Sequence, residues 1–316
     1  MNVDVVIVTY NRLEKLKKAL ASYENQSKTF RNMIVVNNHS TDGTYEYLEA
    51  WKNEETPFTK YVITTEDNLG GSGGFYTGQE FAMTLNPDWV YLADDDAYAE
   101  HDMMEQFYKF CETHDVSKLS AICGAVCDME GKVCCYHRST YKTIKFNLYR
   151  KDSKTEDYEL PFFEIDFLSY VCSFINARAI GKVGMVDSRY FIYFDDSEHS
   201  LRLQRFGPIV CVPLIRINHE DGGSKGYDEG IIVSWQEYYM IRNEINMMKR
   251  HHFFVALNKF RKELWKLYVV HSYPGYYEPM VKAAVKDGWG GKLGLHGLYR
   301  PGWKITNKDT ESNICR

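Results

Sequence analysis

The strongest constraint on how this 316-residue chain folds is a regular alternation in its first third. The apolar runs VDVVIVT (from Val3), MIVVNN (from Met33), KYVITTE (from Lys60) and DWVYLA (from Asp88) are separated by segments of helical periodicity. In RLEKLKKALASYENQ the recurring apolar residues are Leu13, Leu16, Leu20 and Tyr23. Short, continuous β-branched runs fit strands buried on both faces, and helical spacing fits helices laid over them. Strand–helix alternation at this spacing predicts an α/β fold, a doubly wound and mostly parallel sheet with right-handed crossovers. Asn11 is placed to cap the first helix, and Ser40-Thr41-Asp42-Gly43 to turn the chain into the second. NLGGSGGFYTGQEF, from Asn68, reads as a glycine loop running into a third helix.

The middle of the chain is less regular. LSAICGAVCDMEGKVCCYH predicts a hairpin around Glu130-Gly131, and residues 138–160 are polar enough to predict loops. FFEIDFLSYVCSFINARAIGKVG and SRYFIYFDDSEHSLRLQRFG each read as a strand followed by a helix, and PIVCVPLIRINHEDG as a late strand. From about Tyr227 the pattern turns helical and aromatic, so the expected division is a sheet domain over 1–226 and a mainly helical region over 227–316.

In a doubly wound sheet, ligands sit beyond the carboxyl ends of the strands. Four chemistry-bearing stretches fall there: Thr9-Tyr10-Asn11-Arg12, Asn37 to Asp42, Asn68 to Phe75, and Asp94-Asp95-Asp96. The acidic triplet is the most demanding, because three adjacent carboxylates repel one another unless something positive lies among them. A solvated turn, an Arg or Lys partner, or a divalent cation would each answer. Hard ions such as Mg²⁺ and Mn²⁺ take oxygen ligands and bridge carboxylates to phosphates, and the position beyond a strand beside a glycine-rich stretch favours the cation. GGSGG lets backbone N–H groups approach an anion. It has neither the dinucleotide fingerprint after the first strand nor the G-K-[ST] ending of a P-loop. Alone, it reads as a flexible turn at least as readily as a phosphate site.

A net charge of −5 and a pI of about 6.1 exclude a general nucleic-acid binder. The eight cysteines have no metal-type spacing and are expected as reduced thiols of a cytosolic protein. The chain enters VDVVIVTYN directly, so no secretory signal is expected, and no apolar run reaches the roughly 18–20 residues that span a bilayer.

VVIVTYNR, VVNNHSTDGT and LADDDA, in that order, resemble the nucleotide-sugar-binding half of glycosyltransferase family 2, which has the GT-A fold. NLGGSGGFYTG with FDDSEHSLRL resembles the branch holding bacterial galactofuranosyltransferases and some rhamnosyltransferases. The resemblance covers roughly residues 3–225 and implies inverting transfer from a UDP- or dTDP-sugar, assisted by Mn²⁺ or Mg²⁺. It implies metal and diphosphate contacts for Asp94 and Asp96, and a place nearer the sugar for Asp95. Thr9, Tyr10 and Arg12 match the first nucleotide-contacting loop, and Asn68 with Gly73 and Gly74 the donor loop. One departure is Asn37-Asn38, where the family often has Asp-Asn reading the pyrimidine. The Asn37 amide still bonds a pyrimidine edge, but the base preference stays open.

Single-displacement inversion needs one carboxylate to take the proton of the acceptor hydroxyl. YFDDSEHSLRLQ offers Asp195, Asp196 and Glu198 at a helix start, and resembles the family's Asp-Asp-x-Glu segment, whose second aspartate is the base. Asp196 is therefore the expected catalytic base, with Asp195 or Ser197 suited to capping. Related galactofuranosyltransferases carry a histidine at the end of the next strand, which implies His219 as a third metal ligand. His199, on the helix itself, is a weaker alternative and better suited to supporting the acceptor pocket.

KRHHFFVALNKFRKELWKLYVV places Phe253, Leu257, Phe260, Leu264 and Leu267 at helical spacing, with six basic residues against Glu263 alone. Such a helix either packs its stripe on the rest of the protein or lies on an anionic membrane surface. The resulting expectation is a galactofuranosyltransferase, cytoplasmic or peripheral on the inner face of the membrane. It would act from residues 1–226 on a glycan or lipid-linked glycan, with 227–316 on the acceptor or membrane side. Transfer of rhamnose from dTDP-rhamnose is the alternative within the family. A non-catalytic nucleotide-sugar-binding protein and a nucleotidyltransferase are the alternatives outside it. Asp196 beside an intact Asp triplet argues against the first, and the lack of a basic glycine-rich signature near the N-terminus against the second.

Overall fold

The computed structural model describes residues 1–220 and 231–306; the expected division after residue 226 lies outside the described residues. The chain runs β1 (Val3–Thr9), α1 (Leu13–Glu24), β2 (Asn32–Asn37), α2 (Thr44–Trp51), β3 (Thr59–Thr64), α3 (Gly70–Thr84), β4 (Trp89–Asp94) and β5 (Ala97–Ala99). There follow α4 (Met103–Thr113), β6 (Ala121–Cys127), β7 (Arg138–Ile144), β8 (Asn147–Asp152), β9 (Phe163–Ile165), β10 (Phe167–Leu168), β11 (Ser173–Asn176) and α5 (Ala177–Val183). The rest is α6 (Asp195–Leu203), β12 (Ile209–His219), β13 (Ile231–Ser234), α7 (Trp235–His251), α8 (Phe253–Trp265), α9 (Glu278–Gly290) and β14 (Lys304–Thr306).

The alternation yields the expected sheet. β1 pairs in parallel with β2 and β4, and β2 with β3; all seven residues of β1 and all six of β2 are buried, which is why these runs carry no polar alternation. The full order is β3-β2-β1-β4-β11-β6-β12-β5, with β9 on the side of β12. β11 runs antiparallel between β4 and β6, while β12 is parallel to β6. The β12 register shifts between Val212 and Arg216, around Pro213, which has no N–H to give the ladder. Past that bulge, β12 pairs antiparallel with β5 and sets His219 opposite Ala97, next to the acidic triplet.

Several local expectations need correction. The first helix is not capped by Asn11: Arg12 holds the cap position, and Asp42 Oδ2 accepts from Leu13 N at 3.0 Å. The glycine stretch is not a loop, since α3 begins at Gly70. A Cβ on Gly74 would lie 2.4 Å from Val8 Cγ1, and one on Gly78 2.2 Å from Val6 Cγ1, so two of these glycines let α3 sit directly on β1. Residues 138–160 are not simply loop, because β7 and β8 form a hairpin there with β10 alongside. No strand precedes α6: Ser188–Tyr190 is a 3₁₀ turn, and Phe191, Tyr193 and Phe194 all have positive φ.

The chain divides into two compact units. The first holds the large sheet and its helices. The second comprises 142–149, 189–195 and the C-terminal elements, with α7 packed on α8 and α9. Its core gathers Phe191, Tyr238, Tyr239, Met280 and Tyr299.

Candidate active site

The ends of β1, β2 and β4 and the start of α3 are joined by one hydrogen-bond network. Asn38 N donates to Thr9 O at 2.9 Å, and Thr9 Oγ1 donates to Asp95 Oδ2 at 2.7 Å. Asn38 Nδ2 donates to Gly70 O at 3.0 Å and Asn68 Oδ1 at 3.2 Å, while its Oδ1 accepts from Leu69 N at 2.9 Å. Asn37 Oδ1 accepts from Ser40 N at 3.0 Å, and Asn11 Oδ1 from Thr41 N at 2.7 Å. Tyr10 is exposed beside this network. The expected residues at the ends of β1, β2 and β4 and at Asn68 thus meet in one place. Gly73 and Gly74 lie in the first turns of α3, where the missing Cβ of Gly74 serves packing on β1.

The triplet is answered by cations. Arg12 Nη1 lies 2.8 Å from Asp96 Oδ2 and 3.3 Å from Asp95 Oδ1, and Lys15 Nζ 3.4 Å from Asp96 Oδ2. Lys15 was not singled out from the sequence; its signal was its place one helical turn after Arg12. On the far side, His219 Nε2 stands 3.1 Å from Asp96 Oδ1. Ligand atoms of Asp94, Asp96 and His219 all lie within 4.8 Å of one another.

Burial, and then the neighbouring charge of Asp96, push the Asp94 carboxyl up to about 7. Burial also raises Asp95, against the pull of Arg12 and Thr9. For Asp96, burial works upward but is outweighed by the His219 contact and by Arg12 and Lys15, so its carboxyl is held below the ordinary range. Two carboxylates and an imidazole converging on one point, one carboxyl pushed up to about 7 by burial and the charge of Asp96, are a donor set that a divalent cation fits. Asp94, Asp96 and His219 would hold it.

Asp196 is the second residue of α6, half-buried, with its carboxylate accepting from Ser197 N at 2.5 Å and Ser197 Oγ at 3.1 Å. Burial raises its pKa, opposed by Arg150 and by those two bonds. Glu198 is committed elsewhere, accepting from Arg202 Nε at 2.8 Å inside the protein. His199 is fully buried, between Tyr170 Oη and Gly184 O, each 3.2 Å from a ring nitrogen, and burial pushes it down to about 3. Its imidazole is therefore neutral and held inside the protein.

The charge of Arg150 works against the rise of the Asp196 carboxyl and adds to the lowering of His137 by burial and Arg138; the His137 ring meets that of His219 edge-on at 5.4 Å. Arg150 comes from the stretch read as loop and His137 from the end of the stretch read as a hairpin, and neither carries a motif that marks it.

A further feature lies just before α6. Asn243 Nδ2 donates to the carbonyls of Tyr190, Ile192 and Tyr193 at 3.0, 2.7 and 2.9 Å, and Arg242 Nη2 to Tyr190 O at 2.9 Å. These bonds hold the positive-φ backbone that delivers the chain to Asp195 and Asp196.

Residues 4–184 match the family model described as Glycosyl transferase family 2, and the chain belongs to that family. Galactofuranosyltransferase GlfT1 of Mycolicibacterium smegmatis is 28% identical over 208 residues, a match that covers 64% of this chain and 65% of that relative's length. N-acetylglucosaminyl-diphospho-decaprenol L-rhamnosyltransferase of Mycobacterium tuberculosis is 24% identical over 249 residues, covering 71% of this chain and 78% of the relative. Among solved structures, GalNAc-T7 with UDP, GalNAc and Mn²⁺ superposes with a TM-score of 0.60 at 13% identity, over 91% of this chain and 55% of that one. The architecture is thus a GT-A fold, with helices at the C-terminus as expected.

Proposed function

We propose that the protein is an inverting, metal-dependent glycosyltransferase that moves galactofuranose from UDP-galactofuranose to a hydroxyl of a cell-surface or lipid-linked glycan, on the cytoplasmic side of the membrane. The observation that carries this reading is the cluster of Asp94, Asp96 and His219 standing beside the Thr9–Asn38–Asn68 network at the carboxyl ends of the parallel strands. A divalent cation there, Mn²⁺ or Mg²⁺, supplies charge stabilisation for the departing diphosphate. Arg12 and Lys15 add positive charge on the same side and balance the triplet. In this reading Thr9, Tyr10, Asn37 and Asn68 contact the nucleotide, and Asp95, which accepts from Thr9 and Arg12, serves the sugar side. Asp196, its basicity raised by burial, takes the proton of the acceptor hydroxyl as that oxygen attacks the anomeric carbon.

The GlfT1 relatives support galactofuranose. Rhamnose from dTDP-rhamnose is the second reading, favoured by the rhamnosyltransferase relative, and Asn37 leaves the base preference open between them. The test is slow hydrolysis of a panel of nucleotide sugars by the purified protein with Mn²⁺. UDP-galactofuranose should turn over fastest; preference for dTDP-rhamnose would select the second reading, and no turnover of any donor would end both.

A further inference from the structure

We propose that the second unit carries a docking surface for an anionic lipid bilayer, built from the β7–β8 turn and the outer face of α8. The expected apolar stripe of α8 packs mostly inward: Phe260 stacks on Trp289 at 4.4 Å, Leu264 joins the same cluster and Leu267 is buried, while Phe253, at the start of the helix, is half-exposed beside Trp289. A second set of apolar side chains is left uncovered. Phe253, Phe254, Trp265, Tyr268, Val269 and Val270 are exposed, with Phe254 at 66% and Val269 at 64% of full exposure. The β7–β8 turn lies against the same helix: Asn258 Nδ2 donates to Phe146 O at 3.0 Å, and the rings of Phe146 and Phe254 are 6.1 Å apart. That turn exposes Ile144 at 53% and Phe146 at 60%. Two elements distant in sequence therefore present one apolar face, larger than singly scattered surface residues explain.

The charges around it choose the occupant. Lys142, Lys145, Arg261 and Lys262 are exposed beside the aromatics, while Glu263, the one acid of α8, is buried. Beside Tyr268, a groove of about 530 Å³ between α8 and α9 repeats the pairing, with Phe260, Leu264 and Trp289 on its floor and Lys282 and Lys286 at its edge. Aromatic side chains with surrounding Lys and Arg match the boundary between headgroups and acyl chains of an anionic leaflet. A second copy of this chain, docking the same face on itself, would set these cations against each other. Among the described residues no helix is long and apolar enough to cross a membrane, so the contact is one of surface attachment. The proposal rests on the transferase reading for its use, which is to bring the site to an acceptor carried on lipid.

The test is co-sedimentation of the full chain with vesicles of phosphatidylcholine alone or with about one-third phosphatidylglycerol. Binding is expected only to the anionic vesicles. It should fall about tenfold or more in Arg261→Glu/Lys262→Glu and in Phe254→Ser/Trp265→Ser, both on exposed positions that leave the fold intact. Equal binding to neutral vesicles, binding unchanged in both variants, or a dimer in sedimentation equilibrium that Phe254→Ser/Trp265→Ser dissolves would each overturn it. Hydrolysis of a soluble nucleotide sugar without vesicles separates the two readings. It should persist in these variants if only the surface has been damaged, and its absence from the wild type would remove the transferase reading while leaving the vesicle result standing.

Discussion

His219 Nε2 stands 3.1 Å from Asp96 Oδ1, a contact across 123 positions that brings the last residue of β12 to the turn after β4. The antiparallel pairing of β12 with β5 imposes it, since His219 is in register with Ala97. The ring also meets that of His137 edge-on at 5.4 Å. Asp94, Asp96, His219 and Asp196 all belong to the first unit.

Metal binding should depend on pH through Asp94. Its carboxyl is raised from 3.8 to about 7, so the metal-free folded protein keeps a proton that the unfolded chain has already lost. The stability that proton represents is present below about 4 and is lost as pH rises through about 7. A cation needs the ionised form, so Mn²⁺ should bind more tightly, and raise the melting temperature more, at about pH 8 than at about pH 6. Proton release on binding should appear in calorimetry as a heat that changes with the buffer. A Mn²⁺ effect equal at both pH values would contradict the assignment of Asp94.

Asp196→Asn should lower transfer by roughly 10²–10⁴-fold while leaving donor affinity near that of the wild type. Asn243→Ala should act at one remove: kcat falls because the Tyr190–Phe194 backbone relaxes away from its positive-φ path, while donor KM holds. If Asn243→Ala changed the melting temperature and left kcat untouched, Asn243 would be a purely structural residue.

Asn38→Ala removes the side chain that bonds Asn68, Leu69 and Gly70. Each lost bond is worth about 0.5–1.5 kcal/mol, so donor KM should rise about tenfold or more with a smaller change in kcat. Isothermal titration with UDP checks the same step without turnover. Unchanged UDP affinity would detach the network from donor binding.

Gly78→Ala should destabilise the fold by about 1–3 kcal/mol in urea melts, because the new methyl meets Val6 at 2.2 Å on a buried strand. Gly71→Ala is the contrast. Nothing lies within 4 Å of its Cβ position, and replacing a helical glycine should be neutral or stabilising by about 0.5–1 kcal/mol. Equal effects would mean that α3 does not rest on β1 as described.

The sequence by itself determined the layered framework, because hydrophobic period is a local property that burial converts directly into strands and helices. Val3–Thr9 and Asn32–Asn37 are buried along their whole length, and the four polar stretches had to lie where those strands end. It also marked Asp94, Asp96 and His219, through motif order. What only the tertiary structure decided is what depends on contacts between distant segments. The glycines of α3 read as a loop because a close approach to Val6 and Val8 leaves no trace in local spacing. Asp42 took the cap expected of Asn11, since a cap needs only an oxygen in the right place, whatever its position in the chain. Arg150 lay in a stretch read as loop and His137 at the end of one read as a hairpin, and no local spacing sets either near Asp196 or His219; Asn243 acts on carbonyls about 50 residues away. The exposed face of α8 belongs to the same class, because helical spacing gives the stripe but not which side of it the rest of the protein leaves uncovered.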